Sequence, residues 1–469
     1  MTSIESVLRE ALARVKPKQW EYYYLEYVAE IIARIVRTCL EEYGFRDFEV
    51  SLQGSFAKDT FISGDVDIDL FILFKPGTVR TSDFEAFIVP NLKVCLERYG
   101  LTTLLEYATH PYVTTFLGNV EINIVPAFRV RDPSFIISPV DRTPFHTEYV
   151  NSRLSREQRD EVRLLKAFMK GIGVYGAEVR VQGFSGYLAE LLVIAYGSFE
   201  NVLRKSLSWR PYRTCIDVEG YYASERDCLK RFPKSVLIVV DPVDPKRNVA
   251  AAVGLRAFSK FRVCSRLFLE RPSIKYFEKY EPRVSLGDVE QALRIACSMN
   301  RKIILVVSNV MHRSEDVVWG QIRRFERSLI NQLRSRHVKV MFIDSYLDAR
   351  SNKAMTFLEV YEGGTQWKLH EGPPAHIVEN SVEFIKKNLD CLVGPWIDHD
   401  NRLVCIRKWN PLECVAQAIK GIHLEFVKPT AVVDLCSESY ALSENALPWL
   451  YECITRSYFK YLLKDANEP

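Results

Sequence analysis

The feature that most constrains this chain is an acidic strand that follows a glycine–serine turn. The Gly54-Ser55 turn precedes a predicted strand over 66–74, which carries Asp67 and Asp69. Because side chains alternate along a strand, the two carboxylates share one face, about 6.6–6.8 Å apart along the backbone. Carboxylates beside the N–H groups of a small-residue turn suit Mg²⁺ and a triphosphate, as nucleotidyl transfer with two metal ions requires. The alternative, an acidic strand end on the surface, leaves the turn and the flanking apolar runs unexplained.

The length and composition bound the class of protein. A chain of 469 residues is too long for one core, so about two to four domains are expected. With 48% hydrophobic and 26% charged residues, the composition is that of a globular protein in water. No apolar run reaches the length of a membrane span, and the N-terminus lacks a signal-peptide pattern. We therefore expect no membrane partner.

The cysteines and the net charge are less decisive. Eleven cysteines are scattered singly without a Cys-x-x-Cys pair, which predicts reduced thiols and a cytoplasmic location. The net charge is only +4, so a polyanionic partner has to be argued from local basic patches.

The order of predicted elements indicates an α+β multidomain protein. A small α/β domain over 1–150 begins with a helix at 18–43 and contains a hairpin around Gly118-Asn119. A mostly helical domain follows over 151–272 and includes a helix at 248–270. Helices packed on an antiparallel sheet are expected over 273–469.

A third carboxylate is usual at a two-metal site, and this chain offers an amide instead. On the predicted strand at 120–125, the residue best placed beside Asp67 and Asp69 is Asn123. An amide oxygen is a neutral ligand that cannot accept a proton as a base. Glu121 is on the same face but is expected one full repeat away, so it replaces Asn123 only if the metals shift.

Four further residues have the chemistry to bind a nucleotide. Lys166 offers a point charge to a triphosphate, and Tyr175 a ring or hydroxyl to a base or ribose. His146 suits a phosphate or ribose, and Arg247, in a turn before a predicted helix, suits an anion or a base edge. Three of them have a plainer alternative: Lys166 as a solvated lysine, His146 as a buried histidine at a domain junction, and Arg247 as part of an ordinary helix start.

The third region carries basic residues interleaved with aromatic ones. Such a pattern suits an RNA backbone and a stacked terminal base, although a charged solvent face explains any single residue. The residues are Arg323, Arg324, Arg327, Arg334, Arg336 and Lys339, near Trp319, Phe325 and Tyr346.

Several motifs together resemble a known family. They are Gly54-Ser55-Phe56-Ala57-Lys58, Asp65-Val66-Asp67-Ile68-Asp69, Val140-Asp141-Arg142-Thr143-Pro144-Phe145-His146, Val162-Arg163-Leu164-Leu165-Lys166, Gly173-Val174-Tyr175-Gly176-Ala177-Glu178, Gly183-Phe184-Ser185-Gly186-Tyr187-Leu188 and Val240-Asp241-Pro242-Val243-Asp244. In these motifs the chain resembles the archaeal, class I CCA-adding enzymes, tRNA nucleotidyltransferases of the DNA polymerase beta superfamily. The resemblance is specific over roughly 45–260 and weaker over 273–469.

The resemblance implies template-independent addition of C, C and A to the tRNA 3′ end from CTP and ATP, with Mg²⁺. It implies a polymerase-beta-like nucleotidyltransferase head, a helical central domain, and an α+β body and tail that hold the acceptor stem and TΨC arm of tRNA. A homodimer stays an open expectation. The residue roles it implies are metal binding by Asp67 and Asp69, triphosphate contacts by Ser55 and Lys58, nucleotide contacts by His146, Lys166 and Tyr175, and base reading by Arg247.

The chain departs from the family pattern at two positions. The family usually has Arg where this chain has Lys58, which loses a bidentate fork. It usually has Asp where this chain has Asn123, a loss expected to cost several kcal/mol of transition-state stabilisation. Three readings stay open: a natural variant with altered metal binding, an inactive tRNA-binding paralogue, or an engineered trap. Another RNA-tailing enzyme, such as a poly(A) polymerase, is a further alternative.

Overall fold

The computed structural model describes residues 3–107, 109–336, 338–361, 367–408 and 410–463. The chain divides into two compact units, one formed by residues 1–280 with 462–469 and the other by residues 281–461. The finer boundaries expected from the sequence, 1–150, 151–272 and 273–469, stay a prediction.

The first unit contains a small sheet domain followed by a helical part. Its strands are β1 (Phe48–Gln53), β2 (Asp67–Phe74), β3 (Thr103–Tyr107), β4 (Pro111–Leu117), β5 (Val120–Phe128), β6 (Cys215–Ile216) and β7 (Ile238–Val239). Its helices are α1 (Ile4–Val15), α2 (Gln19–Glu42), α3 (Gly54–Ala57), α4 (Thr81–Asp83), α5 (Val89–Arg98), α6 (Thr143–Arg153), α7 (Arg156–Gly171), α8 (Gly186–Tyr196), α9 (Phe199–Ser206), α10 (Glu225–Arg231) and α11 (Leu255–Glu270).

A five-stranded sheet in the order β1-β2-β5-β4-β3 organises the first domain. The central strand β2 pairs parallel to β5 and antiparallel to β1. The even positions of β2, Ile68, Leu70, Ile72 and Phe74, are buried against α2 and α5 in one apolar cluster. That burial fixes the register, because a shift by one residue would bring the carboxylates into the core. The odd positions, Asp67 and Asp69, are therefore held on the other face.

The predicted helix at 18–43 and the hairpin around Gly118-Asn119 are confirmed by α2 and by β4 with β5. The predicted helix at 248–270 is correct only from Leu255 onward. Residues 249–252 form turns and 253–254 have no regular structure, because Asn248 caps this stretch locally: its side-chain Oδ1 accepts from the N–H groups of Val239 and Ala250. Arg247 is thus held in a hydrogen-bonded loop and not at a helix start.

The second unit packs helices on antiparallel strands, as predicted. Its helices are α12 (Leu286–Ser298), α13 (Glu315–Arg334), α14 (Val378–Lys387), α15 (Pro411–Lys420) and α16 (Leu447–Thr455), and the last helix, α17 (Tyr458–Leu463), crosses its boundary at residue 461. Its strands are β8 (Lys302–Val310), β9 (Lys339–Asp348), β10 (Lys353–Tyr361), β11 (Trp367–Pro374), β12 (Val393–Ile397), β13 (Arg402–Lys408) and β14 (Val427–Asp434). They form two antiparallel sheets, in the orders β14-β8-β10-β9 and β11-β13-β12.

The aromatic residues of α13 do not have the role expected of them. Trp319 and Phe325 are 4% and 1% exposed, so neither ring is available to stack on a terminal base. Both lie on the apolar face of the helix, where Phe325 joins a cluster with β8 and β10. Arg324 and Arg327 are exposed on the other face of the helix, separated from these two buried rings.

The expectation of reduced thiols was wrong for eight of the eleven cysteines. They form four disulfides, Cys39–Cys95, Cys215–Cys228, Cys297–Cys436 and Cys391–Cys405. Their spacing concealed them, because the two partners of a pair are between 13 and 139 residues apart. Within the described ranges, no helix is both long enough and apolar enough to cross a bilayer.

Candidate active site

The parallel pairing of β2 with β5 assembles the acidic face. Asp69 is directly opposite Asn123, as the sequence predicted, and Asp67 is opposite Glu121. Glu121 is on the same face as Asn123 and one repeat away from it, as expected, which makes it the direct neighbour of Asp67. Partial burial raises the pKa of Glu121, and the charge of Asp67 adds to this shift.

Asp69 is the most perturbed carboxylate of this face. Burial raises its pKa to about 6, and the negative charge of Asp67 contributes in the same direction. A hydrogen bond from Asn123 and the charge of Lys58 oppose the shift without cancelling it. Desolvated carboxylates this close favour either a shared proton or a bound cation. Negative charge therefore exceeds positive charge here, as expected of residues that hold a divalent metal.

The amide of Asn123 is oriented by two neighbours. Its Oδ1 accepts a hydrogen bond of 2.8 Å from the hydroxyl of Thr114 on β4. Since a carboxylate only accepts, the bond between Asn123 and Asp69 is donated by the amide nitrogen. A cavity of about 290 Å³ opens beside these groups and is also lined by Tyr112 and Thr143. Asn123 thus presents an N–H donor to Asp69, where a third metal ligand would be expected.

The glycine–serine turn lies against Asp69. Gly54 starts the short helix α3 with a φ of +71°, a conformation that residues with a Cβ rarely adopt. A Cβ on Gly54 would be 1.9 Å from Oδ2 of Asp69. Only glycine permits this approach, so the turn bearing Ser55 and the acidic strand form one surface.

This contact makes Gly54→Ala a sharp test of the site. We expect loss of at least about a hundredfold in turnover, roughly 2.7 kcal/mol in the activation free energy, because the methyl group displaces Asp69. Gly44→Ala is the matched control: Gly44 also has positive φ, +88°, but open space around its Cβ position. It should cost about 1–2 kcal/mol of stability and leave turnover unchanged. Similar activity of the two variants would contradict the close approach.

Two lysines meet at one buried carboxylate behind the turn. Lys58 Nζ donates to Glu190 Oε2 at 2.5 Å, and Lys166 Nζ donates to Glu190 Oε1 at 3.1 Å. The hydroxyl of Thr60 donates to Glu190 Oε1 at 2.6 Å. Both this hydroxyl and the backbone carbonyl of Thr60 accept a hydrogen bond from Lys166 Nζ, each at 3.0 Å. Lys166, expected from the sequence to contact a triphosphate, is thus fixed inside the protein and is 2% exposed.

A second buried carboxylate, Asp241, holds two more of the predicted nucleotide ligands, His146 and Arg247. His146 Nε2 and Arg247 Nη1 both donate to Asp241 Oδ2, at 2.9 and 2.8 Å. The hydroxyl of Tyr187 donates to Oδ1 at 3.3 Å, and its ring stacks on His146 with centroids 4.1 Å apart. Burial disfavours the charged form of Asp241, but His146 and Arg247 hold its pKa at about 2. Burial lowers the pKa of His146.

The remaining predicted residue, Tyr175, joins the same region. A Cβ on Gly186 would be 2.9 Å from the hydroxyl of Tyr175 and 3.6 Å from Nζ of Lys166, so these two groups flank the start of α8. Lys58 is 5.5 Å from the centre of the Tyr187 ring, which connects the lysine cluster to the His146 cluster. All nine residues proposed from the sequence are therefore placed in the first unit, around the acidic face and the start of α8.

Arg163 fixes the segment after the turn. Its guanidinium, 2% exposed, donates to the carbonyl of Phe61 at 2.9 Å, to the carbonyl of Asp59 at 2.7 Å and to the carboxylate of Asp59. Asp59 adopts a φ of +51° directly after Lys58. These hydrogen bonds from Arg163 on α7 hold the turn against the helical part of the first unit.

Sequence reasoning assigned no role to Glu190, Asp241, Thr60 or Tyr187. One signal was available for Glu190, because a lone carboxylate among Leu188, Ala189, Leu191, Leu192 and Val193 has to be paired when such a helix is buried. No comparable sequence pattern indicated Asp241, Thr60 or Tyr187, because their contacts depend on how α7, α8 and the turn pack together.

Three family models match successive parts of the chain. The nucleotidyltransferase domain matches residues 32–146, the second domain of tRNA nucleotidyltransferases matches 160–278, and the C-terminal domain of CCA-adding enzymes matches 301–425.

Curated relatives match over most of their length. The CCA-adding enzyme of Pyrobaculum islandicum is 36% identical over 410 residues, covering 87% of this chain and 91% of that protein. The CCA-adding enzyme of Saccharolobus islandicus is 38% identical over 420 residues, covering 89% and 92%. Among solved structures, the Cid1 poly(U) polymerase bound to MgATP aligns with a TM-score of 0.45 at 14% identity, covering 58% of this chain and 98% of that one.

Proposed function

The chain belongs to the CCA-adding enzymes of archaea, and we propose that the sheet face bearing Asp67 and Asp69 is its catalytic centre. It is a template-independent tRNA nucleotidyltransferase that adds C, C and A to the tRNA 3′ end from CTP and ATP. The observation that carries the placement is the direct approach of Gly54 to the Asp69 carboxylate, which joins the turn and the acidic strand in one site.

Asp67 and Asp69 would hold the divalent metal, and we propose Mg²⁺. Oxygen ligands from carboxylates suit this ion, and the raised pKa of Asp69 supports a site that lacks positive charge. Bound there, the metal would polarise the phosphoryl oxygens and stabilise the attacking and leaving oxygens. Because the pKa of Asp69 is about 6, metal binding and loss of its proton are coupled at lower pH.

The remaining residues orient the nucleotide. Ser55 and Lys58 lie on the turn beside Asp69, where they contact the triphosphate, and Lys166 supports them from behind through Thr60. His146, Tyr175 and Arg247 contact the nucleoside. The side chain of Arg247 is 40% exposed although it is anchored on Asp241, so part of its guanidinium is free to meet a base edge.

Asn123 sets the expected rate of the reaction. Its N–H group faces Asp69, so it supplies neither a charged ligand nor a base on the side of the RNA 3′ end. We propose near-normal affinity for nucleotides and tRNA with a slow chemical step. The strongest competing function is that of an inactive tRNA-binding paralogue, which this same residue favours.

A tRNA that lacks its 3′ end, incubated with labelled CTP and ATP, separates the alternatives. Stepwise addition of two C residues and one A, in that order and no further, is the expected result. A homopolymeric tail would indicate a different RNA-tailing activity. Tight binding of this tRNA with no incorporation in long incubations would indicate the inactive paralogue.

We expect tRNA to bind through phosphates on the second unit. Arg324 and Arg327 project from the exposed face of α13, so replacing both by Ala should weaken tRNA binding and reduce the slope of log affinity against log salt by about two. Filter binding of tRNA between low and high salt measures this slope.

Arg204→Ala is the control for that experiment. It removes an exposed arginine of the first unit that pairs with Glu200 on α9. The salt slope should not change in this variant. Equal slopes for wild type and for the double α13 variant would contradict phosphate binding by this helix. A homodimer and a cytoplasmic location stay predictions, testable by sedimentation and by fractionation.

A further inference from the structure

The carboxylate of Glu190 is unusual in its surroundings. It projects from α8, whose neighbouring residues Leu188 and Leu191 are fully buried, and it is itself 0% exposed. Burying a single ionised carboxylate in such a helix costs free energy of folding unless hydrogen-bond donors in fixed positions surround it. Burial opposes ionisation of Glu190, but Lys58 and Lys166 hold its pKa at about 2.

The donors of Glu190 are the lysines proposed to serve the triphosphate. Its Oε2 accepts from Lys58 at 2.5 Å, and its Oε1 accepts from Thr60 at 2.6 Å and Lys166 at 3.1 Å. The three N–H groups of Lys166 are matched by three acceptors: Glu190 Oε1 and the carbonyl and hydroxyl of Thr60. Within the described residues, Lys58 Nζ donates to a single acceptor, Glu190, and its side chain is 8% exposed, so a remaining N–H group is left for a phosphate that enters the site.

We propose that Glu190 is a positioning residue for nucleotide binding: it fixes the Lys58 ammonium at the turn beside Asp69, with Lys166 as its second counter-ion. This inference rests on the proposed role of Lys58. A flexible lysine loses considerable side-chain entropy when it orders on a ligand. The bond to Glu190 restricts the side chain before the triphosphate arrives, and this preorganisation favours binding.

A purely structural role for Glu190 makes a different prediction. If it only satisfied buried lysines, its replacement would lower stability and affect CTP, ATP and tRNA alike. A positioning role acts through Lys58, so it changes the KM for nucleotide more than kcat or the KM for tRNA. It also has no effect when Lys58 is absent.

Glu190→Gln is the main variant, because Gln has the same shape and can still accept from Thr60. We expect the KM for CTP and for ATP to rise about tenfold, with tRNA affinity unchanged and the far-UV circular dichroism spectrum retained. Glu190→Asp keeps the charge at a shorter reach and should recover part of the loss. Glu161→Gln is the control and should leave the nucleotide KM unchanged. Glu161 is a half-buried carboxylate on the same helix as Lys166, but it accepts from the N–H of Phe199 on α9.

A double-mutant cycle with Lys58→Met decides between the outcomes. Lys58→Met alone should raise the nucleotide KM, and adding Glu190→Gln should then have little further effect. If Lys58→Met changes nothing, the proposed role of Lys58 fails. If Lys58→Met raises the KM while Glu190→Gln does not, or if the two effects are additive, only the role of Glu190 is overturned.

The pH dependence gives a second readout. Burial lowers the pKa of Lys166 to about 8, while Glu190 opposes that shift and Lys58 and Arg163 add to it. Tyr175 and Tyr187 also face Glu190, and burial raises the pKa of both. Without the carboxylate, Lys166 should lose its proton at lower pH. The ratio of the nucleotide KM of Glu190→Gln to that of wild type should therefore rise between about pH 6 and 8, and this ratio removes the effect of Asp69, which titrates in both proteins. Parallel profiles would contradict the inference.

Discussion

Asp67→Ala should lower the single-turnover rate of CMP addition by at least about a thousandfold, roughly 4.1 kcal/mol in activation free energy. Asp67 is exposed at the first residue of β2, so the fold does not depend on its carboxylate. Asp69→Asn should have a similar effect for a different reason. It keeps the shape of a side chain packed against Gly54 but removes the charge that a metal requires.

The control for both variants is Glu49→Gln. Glu49 is on β1 of the same sheet, opposite Leu73 at the far end of β2, where it pairs with Arg129 at the surface. None of the three variants should melt below wild type by more than a surface ion pair is worth, because removing a carboxylate from the acidic face relieves like-charge repulsion, and only the two aspartate variants should lose activity. Full activity of Asp67→Ala would show that the catalytic centre is elsewhere.

Asn123→Asp should raise the single-turnover rate by at least about a hundredfold, equivalent to roughly 2.7 kcal/mol. The new carboxylate adds negative charge and a base on the side of the RNA 3′ end. The Thr114 hydroxyl can still donate to it, so its orientation is kept. CTP and tRNA affinities should change little, because Asp67 and Asp69 are present in both forms.

A second measurement on the same variant does not depend on activity. Without divalent metal, a third carboxylate beside Asp69 replaces an N–H donor by a like charge, so Asn123→Asp should melt at lower temperature than wild type. Adding Mg²⁺ should restore more stability to the variant than to wild type. Glu121→Gln in both backgrounds tests the neighbour of Asp67 as a substitute ligand. Equal rates for Asn123→Asp and wild type, together with a loss in Glu121→Gln, would assign that part to Glu121.

Much of the acidic face could be predicted from local rules. Alternation along β2 places Asp67 and Asp69 together, and the register with β5 brings Asn123 opposite Asp69 as expected. The same register places Glu121 opposite Asp67, and the core fixes it, because Ile68 packs level with Ile122. The boundary of α11 was misjudged because apolar periodicity from 248 onward does not reveal the local bonds of Asn248.

The second unit shows the limit of composition. Arginines and aromatic residues alternate along α13, but the helix separates them onto two faces, and Trp319 and Phe325 are buried. Likewise, Cys297 on α12 and Cys436 after β14 appear unrelated in sequence until the pairing of β14 with β8 brings their segments together. In both cases adjacency in sequence and adjacency in space differ.

By itself, the sequence determined the acidic strand, the glycine turn, the main helices and the family, because these depend on residue type and on spacing within one segment. Only the tertiary structure decided how charges are neutralised. Glu190 pairs with lysines 132 and 24 residues away, and Asp241 with a histidine 95 residues away. A buried charge persists only where the fold supplies its partners, and the packing of α6, α7 and α8 around the turn selects them.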